Sequence, residues 1–260
     1  VTRFETAALI GHTGFVGGNL SRQHRFDDCF NSSNIEAVAG RSFDLLVCAG
    51  VPSEKWKANA DPERDRQNIG RLMAALARVD AGRLVLISTV DVFADPVGVD
   101  EESPVVTSGL QAYGRNRRHL EEFVRSHFDA SIVRLPGLYG GGLKKNAIFD
   151  LLHDNQVAKI DSRGIFQFYG VSRLWSDIEI ILEERLPVVH MATEPVSMAE
   201  VARAAFGLEF TNEVAPTPPC YDLHTRFARL FGGVGTYIEP RDRVLALIRE
   251  YVATERTRRG

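Results

Sequence analysis

The apolar run Ala7-Ala8-Leu9-Ile10 leads without a break into Gly11-His12-Thr13-Gly14-Phe15-Val16-Gly17, and a helical pattern follows. Three glycines at this spacing between a strand and a helix allow few folds. The first permits a tight turn out of the strand, the second lets backbone approach a pair of phosphates, and the third lets the helix pack closely on the strand. The helix N-terminus then offers N–H groups and a partial positive charge to an anion. We therefore expect a first β–α unit of a parallel sheet, with Gly11, His12, Thr13, Gly14, Phe15, Val16 and Gly17 cradling the pyrophosphate of a dinucleotide. Within this loop His12 is expected to cap or pack rather than to catalyse.

The first half of the chain continues the alternation of apolar runs and helical patterns that marks an α/β sheet. Strands are expected near Thr6–Ile10, Asp28–Asn31, Asp44–Cys48, Arg83–Ser88 and Ala130–Leu135. Asp61-Pro62 forms a helix start signal, with Ile69, Leu72, Met73 and Leu76 at helical spacing behind it. A helix is expected over Gln111–Ser126. After Gly140 the pattern is less regular: helical at Lys144–His153, extended at Phe166–Val171, helical at Leu174–Glu184, and a last strand at Pro187–Met191. Helices at Pro195–Phe206 and Asp242–Thr254 flank a Pro-rich stretch. The expected fold class is α/β, a Rossmann-type doubly wound parallel sheet with a small, partly interleaved C-terminal lobe. The dinucleotide-binding core would take residues 1–140, with 174–192 returning to it, and the substrate-side lobe residues 141–173 and 193–260.

Composition narrows the function classes. With 260 residues, 25% of them charged, and a net charge of −3, the chain carries no surplus of positive charge for a nucleic-acid surface. No apolar run approaches the ~18 residues of a membrane span. A soluble, cytoplasmic protein without nucleic-acid or membrane partners is the expectation. Cys29, Cys48 and Cys220 are widely spaced and odd in number, so we expect buried free thiols. The seven histidines show no metal-ligand spacing, and no metal is expected.

Five segments resemble, in order, those of the extended short-chain dehydrogenase/reductase family, which includes nucleotide-sugar epimerases, dehydratases and reductases. The glycine loop with Thr13-Gly14-Phe15-Val16-Gly17 is the first. Leu86 to Phe93, through Ser88-Thr89-Val90-Asp91, resembles the fourth-strand segment that carries a catalytic hydroxyl. Glu101-Glu102-Ser103-Pro104 resembles the acidic-Pro loop, Tyr113-Gly114 the start of the active-site helix, and Arg134 to Gly140 the segment that closes over the nicotinamide. The short stretch between the second and third strands resembles the dTDP-sugar and GDP-sugar reductases more than the epimerases.

The resemblance implies an NAD(P)-dependent oxidoreductase or epimerase acting on a sugar-like hydroxyl or carbonyl, with a nucleotide sugar as the substrate class. Tyr113 would be the acid/base, Thr89 the orienting hydroxyl, and Asn68 the anchor of a proton-relay water. Family chemistry also needs a Lys four residues after the Tyr, on the same helix face, to lower the phenol pKa and pass protons. Position 117 is Arg. Arg117 can supply charge, but a guanidinium does not release a proton near neutrality. Only five lysines, at 55, 57, 144, 145 and 159, stand among 31 basic residues, so drift toward arginine is a second explanation. The alternatives are an enzyme with an atypical Tyr-x-x-x-Arg site and a non-catalytic NAD(P)-binding sensor or assembly subunit.

For the cofactor, the residues expected at the end of the second strand, Asn31 and Ser32, are neutral and would tolerate a ribose 2′-phosphate. Arg25 or Arg41 would reach it. NADP is thus favoured over NAD, although an earlier strand end would bring the acids Asp27 and Asp28 into that place. Ala49, Gly50 and Pro136 complete the expected cofactor contacts. On the substrate side we expect Val51 and Trp56 after the third strand, and Lys144 and Lys145 on a diphosphate. Where the family has an Arg-Asp pair and a later Asp, this chain has Phe166, Gln167 and Arg173, which departs from an ordinary nucleotide-sugar site. Arg115, Arg117, Arg118 and His119 make the active-site helix basic, which opposes self-pairing and leaves a homodimer open.

Overall fold

A computed structural model describes residues 4–259. Its elements run β1 (Ala7–Ile10), α1 (Phe15–Gln23), β2 (Asp28–Phe30), β3 (Ser42–Cys48), α2 (Lys55–Ala60), α3 (Pro62–Leu76) and β4 (Asp80–Thr89). They continue with β5 (Val97–Val99), α4 (Ala112–His127), β6 (Ala130–Leu135), β7 (Gly137–Tyr139), α5 (Ala147–His153), β8 (Ile165–Phe166) and β9 (Phe168–Gly170). The last are α6 (Leu174–Glu183), β10 (Val188–His190), β11 (Val196–Ser197), α7 (Met198–Val201), β12 (Asp222–Leu223) and α8 (Arg241–Thr257).

Six strands form one sheet in the order β10-β6-β4-β3-β1-β2, with β1 parallel to β2 and β3, and β3 parallel to β4. This is the expected Rossmann-type architecture. Register decides where the chemistry falls. Ile10 lies beside both Phe30 and Cys48, so three strands end level and their loops leave together. Cys48 pairs with Leu86, so β4 runs on past that edge to Thr89. Ligands bind at this carboxyl edge in open α/β sheets. The core beneath it is built from Ile10, Leu46, Leu84, Leu86 and Ile132 on the strands, and Leu72, Leu76, Leu120 and Val124 on the helices. Asp61 caps α3 by accepting from Arg64 N at 3.1 Å, with Pro62 opening the helix, as its sequence foretells.

Contacts divide the chain into two units. The first comprises the segment ending at Asp95, Pro104–Arg134 and Arg173–Val189. The second comprises Pro96–Ser103, Leu135–Ser172 and the segment from His190, so residues 96–103 and 135–140 pack with the second. In that unit β7 pairs with β9, β8 with β11 and β12 with β5. Ile148, Phe168, Val201, Val244 and Ile248 lie in its core.

Three expectations need correction. The stretch Pro195–Phe206 is not one helix: Val196 and Ser197 pair with β8, Ser197 caps the four-residue α7 through a capping box with Glu200, and Ala202–Phe206 form a π-helical turn. Helix α2 and strand β5 were not foreseen, being short and without clear periodicity. Of the thiols only Cys48 is buried, which pushes its pKa up to about 11. Cys29 is exposed because β2 is an edge strand, and Cys220 is exposed as well.

Candidate active site

The glycine loop joins β1 to α1, and sterics separate the duties of its three glycines. Gly11 has φ +91°, and a Cβ on it would stand 2.4 Å from the Ala49 oxygen. On Gly17 a Cβ would come within 2.1 Å of the Gly11 oxygen. Both positions therefore exclude a side chain so that β1, the β3 end and α1 can close on one another. Gly14 differs. Its nearest neighbour to a Cβ would be the Gly11 oxygen at 3.3 Å, and the residue is exposed. Internal packing demands little of Gly14, so its bare backbone leaves open the space a phosphate would use. Gly14 is also the N-cap of α1 and supplies no side-chain hydrogen bond, which leaves the helix start to an anion. Thr13 is exposed, while Phe15 and Val16 are half-buried in the first turn. His12 packs, its Nδ1 lying 3.0 Å from the Phe30 oxygen, which also accepts from Gly11 N at 2.7 Å.

Beyond β2 the chain turns at Asn31. The Asn31 Oδ1 accepts from Ser33 N at 2.9 Å and from Ser33 Oγ at 2.6 Å, and Asn34 Oδ1 accepts from Asn31 N at 2.6 Å. Ser32 sits exposed at the tip. The acids are elsewhere: Asp27 Oδ2 accepts from Ala7 N at 2.9 Å, and Asp28 pairs with Arg41 at 2.5 Å. Asp27 precedes β2, and Asp28 opens it beside Ala8, so neither stands at the strand end. The same geometry corrects the expectation for Arg25 and Arg41. Both precede their strands and lie toward the amino edge of the sheet, away from the glycine loop. At the other side of β1, Ala49 N donates to the Ile10 oxygen at 2.9 Å, so Ala49 and Gly50 leave the sheet beside the glycine loop. Val51 then packs against the core.

Thr89 ends β4 and caps a short 3₁₀ turn over Val90–Val92, its Oγ1 accepting from Asp91 N at 3.1 Å. Helix α4 approaches this turn so closely that a Cβ on Gly114 would lie 2.0 Å from the Asp91 oxygen. That approach is why glycine follows Tyr113, and it brings the start of α4 against the turn that follows Thr89. Asn59, on α2, holds the helix start by accepting from Tyr113 N at 3.0 Å. Burial raises the Tyr113 pKa above the ordinary phenol value; Arg117 opposes the shift, Asp91 adds to it, and Thr89 and Lys55 oppose it weakly.

Arg117, expected to supply charge beside Tyr113, also has a structural role. Its guanidinium lies 3.9 Å from the Tyr113 ring centroid, but its hydrogen bonds go elsewhere. Nη1 donates to Asp65 Oδ2 at 2.5 Å and to the Tyr113 oxygen at 3.2 Å; Nη2 donates to Asp65 Oδ1 at 3.0 Å and to the Pro52 oxygen at 2.5 Å. Both side chains of this ion pair are at most 5% exposed. Arg117 is thus a buried clamp between α4, α3 and the chain after β3, and its charge is offset by Asp65. Asn116 Nδ2 donates a third bond to Asp65 at 2.8 Å.

Asn68 lies one turn beyond Asp65 on α3, where its Oδ1 accepts from Arg71 at 2.8 Å. A second buried pair, Glu121 with Arg134 at 2.7 Å, lies under the site and receives a 2.6 Å hydrogen bond from Ser88 Oγ. Two of the four basic residues of the run on α4 have carboxylate partners, Arg117 in Asp65 and Arg118 in Glu121 and Glu122.

Trp56 is 67% exposed on α2, so it is not part of the core. In the second unit, Lys144 and Lys145 are exposed on the loop before α5, and Pro136 links β6 to β7. Gln167 is a structural amide: its Nε2 donates to the oxygens of Thr193 (2.6 Å) and Leu223 (2.8 Å), and its Oε1 accepts from Leu223 N at 2.8 Å. Phe168 and Tyr169 are buried, while Phe166 is half-buried against that core. In the first unit, Arg173 pairs with Asp177 at 2.9 Å. Sequence reasoning missed Lys55, Asp65 and Asp91. Asp65 had a signal: it lies on the same helical face as Ile69, Leu72 and Leu76, and a carboxylate on an apolar stripe requires a buried cation.

No family model matches the chain, and no curated protein does. Solved structures do. The dTDP-4-dehydrorhamnose reductase of Clostridium acetobutylicum is 17% identical with a TM-score of 0.73, covering 96% of this chain and 99% of its own. The Bacillus anthracis dTDP-4-dehydrorhamnose reductase, solved in complex with NADP, is 18% identical at 0.73 and covers 98% and 99%. MoeE5, solved with UDP-glucose and NAD, is 15% identical at 0.71 and covers 98% and 100%. The chain shares the fold of these three proteins. Within that fold the glycine loop and Thr89 stand at the carboxyl edge of the sheet. Among the described residues no helix is long and apolar enough to cross a membrane.

Proposed function

We propose that this chain is an NAD(P)-dependent reductase of a sugar-like carbonyl, with a nucleotide-linked keto sugar as its substrate class. The observation that carries the reading is the meeting of the α4 start, with Tyr113, and the turn after Thr89 at the carboxyl edge of a sheet whose first loop leaves Gly14 open to a pyrophosphate. The dinucleotide, when bound, supplies the hydride. Gly14 and the start of α1 hold its phosphates, and Ala49 and Gly50 line its path. Asn31 and Ser32 take the adenosine ribose, and their neutrality favours NADP. Thr89 orients the carbonyl oxygen, and Tyr113 donates a proton to it. A phenol whose pKa is raised stays protonated at neutral pH, which suits an acid in reduction and disfavours a base in alcohol oxidation. Val51, Trp56, Lys144 and Lys145 remain the candidates for the substrate side, and the likeness to two dTDP-sugar reductases agrees with a nucleoside diphosphate handle.

The test is oxidation of NADPH and NADH against a panel of nucleotide-linked keto sugars, with Tyr113→Phe as control. Turnover falling by about 10²–10⁴-fold in that variant supports the reading; undiminished turnover overturns it. One observation favours a second reading, an NAD(P)-binding sensor or assembly subunit. Arg117 is held on Asp65, and a guanidinium releases no proton near neutrality, so position 117 offers Tyr113 no partner for proton exchange. That reading expects tight dinucleotide binding without turnover.

A further inference from the structure

Glu121 of α4 is fully buried, and both oxygens of its carboxylate are engaged. Oε1 accepts from Ser88 Oγ at 2.6 Å and from Arg134 Nε at 3.0 Å; Oε2 accepts from Arg134 Nη2 at 2.7 Å and from Arg118 Nη1 at 3.1 Å. The Arg134 side chain is 2% exposed. A buried ion pair adds little net stability over an apolar core of the same volume; what it supplies is direction, because each of its hydrogen bonds must be met in geometry. Here one of those directions is β4. Ser88 precedes Thr89, and successive residues of a strand point to opposite faces, so holding the Ser88 hydroxyl on Glu121 sets the way Thr89 faces. The same arginine reaches the far side of the turn. Its guanidinium lies 5.2 Å from the Phe93 ring centroid, and Phe93 N donates to the Val90 oxygen at 3.2 Å, closing the 3₁₀ turn that Thr89 caps.

We propose that Glu121 and Arg134 form a positioning platform for Thr89. The pair holds the strand before Thr89 through Ser88 and the turn after it through Phe93, so that Thr89 Oγ1 meets the Asp91 N–H in one orientation at the carboxyl edge of the sheet. The carboxylate and the guanidinium act through those two residues and are positioning residues only. Adjacent hydroxyls thereby take different duties: Ser88 donates inward to Glu121, and Thr89 faces the turn. This inference rests on the reading of Thr89 as the orienting hydroxyl, and it names what keeps that hydroxyl in place.

The experiment follows amide hydrogen exchange by NMR in the full chain, without dinucleotide, at the Asp91 N–H that donates to Thr89 Oγ1. Ser88→Ala removes the tie on the strand side and Phe93→Leu the contact on the turn side, and both leave the buried ion pair in place. Arg83→Met, which removes the bonds to Asp129 and Ser131 elsewhere on β4, is the control for a general loss of stability. Measured against the amides of β3, the Asp91 amide is expected to exchange about tenfold faster in Ser88→Ala and about threefold faster in Phe93→Leu. In Arg83→Met it is expected to move in step with β3. Selective acceleration in the first two variants supports the proposal. Acceleration in step with β3, or none, means a merely structural ion pair and overturns it. Turnover of nucleotide-linked keto sugars with NADPH is measured on the same proteins, and Ser88→Ala is expected to lower kcat about tenfold with NADPH affinity unchanged; an unchanged kcat overturns the positioning role. A parent that turns over with an unmoved Asp91 amide in Ser88→Ala sinks this inference alone. Selective acceleration in a chain that turns over no keto sugar sinks the proposed function and leaves the platform as what holds Thr89.

Discussion

The glycine loop and the Tyr113 corner stand at one edge of one sheet, yet they are specified in different ways. At the loop, backbone meets backbone. The 2.1 Å and 2.4 Å approaches at Gly17 and Gly11 leave no chemical alternative to glycine, and all the partners lie within β1, α1 and the end of β3. At the Tyr113 corner, side chains from α2, α3, α4 and the β4 turn meet through ion pairs. There Arg117 is a buried clamp on Asp65, and Lys55 of another helix pairs with Asp91. Steric constraints fix residue identity, whereas an electrostatic requirement can be met from several directions. One region is therefore fixed by its local sequence, while the other depends on partners that only the fold brings together.

The sharpest way to break this comparison is to remove the clamp. Arg117→Ala leaves Asp65 buried and short of its bidentate partner, and we expect a loss of about 3–5 kcal/mol in urea unfolding. A loss below about 1 kcal/mol would mean that Arg117 is not structural. Arg117→Lys is expected to lie between, because an ammonium cannot keep both carboxylate bonds and reach the Pro52 oxygen, and it is not expected to raise turnover.

Next come the glycines. Gly17→Ala should cost about 3 kcal/mol or more, since the clash is with backbone that cannot move aside. Gly14→Ala should change stability by no more than about 1 kcal/mol, yet weaken dinucleotide binding at least about tenfold. Equal effects of the two alanines on unfolding would erase the division of labour drawn between them.

Asn31→Asp sharpens the cofactor side. A carboxylate at the end of β2 should shift preference from NADPH toward NADH by about tenfold, or 1.4 kcal/mol. An unchanged ratio would place the ribose elsewhere.

The smallest expected effect is a pH dependence. The folded chain holds the Tyr113 proton more tightly than the unfolded chain, in which tyrosine ionises near pH 10. This contribution to stability is intact below about pH 10 and is lost as the pH climbs through the raised folded value. Tyr237 and Tyr251 shift in the same direction, Tyr251 up to about 12. The difference between the parent and Tyr113→Phe therefore isolates the share of Tyr113. Parallel stability curves above pH 10 would contradict the burial argument.

What the sequence made legible follows the same division. Strand β6 falls on its expected residues, Ala130–Leu135, and β1, β3 and α6 differ only by a residue or two at their ends, because apolar runs bounded by turn residues encode a covered strand or helix directly. The loop was readable for the same reason: the spacing of glycines records backbone distances. The partners of Tyr113 were not readable. Asp65 meets Arg117 across 52 positions, and only the fold brings them together. Helix α2, with Lys55 and Asn59, is six residues long and carries no apolar periodicity, so the element that completes the corner left no pattern to find. Arg25 and Arg41 were misplaced because a strand's direction, which decides the edge a flanking residue joins, is a property of the sheet.

The central claim is that the loop at Gly14 holds a nicotinamide dinucleotide. Titration of the protein with NADPH and with NADH, followed by the fluorescence of the reduced nicotinamide, tests it most directly. The account predicts saturable binding, tighter for NADPH, and weakened by Gly14→Ala in a protein of unchanged stability. No saturable binding of either dinucleotide would contradict it.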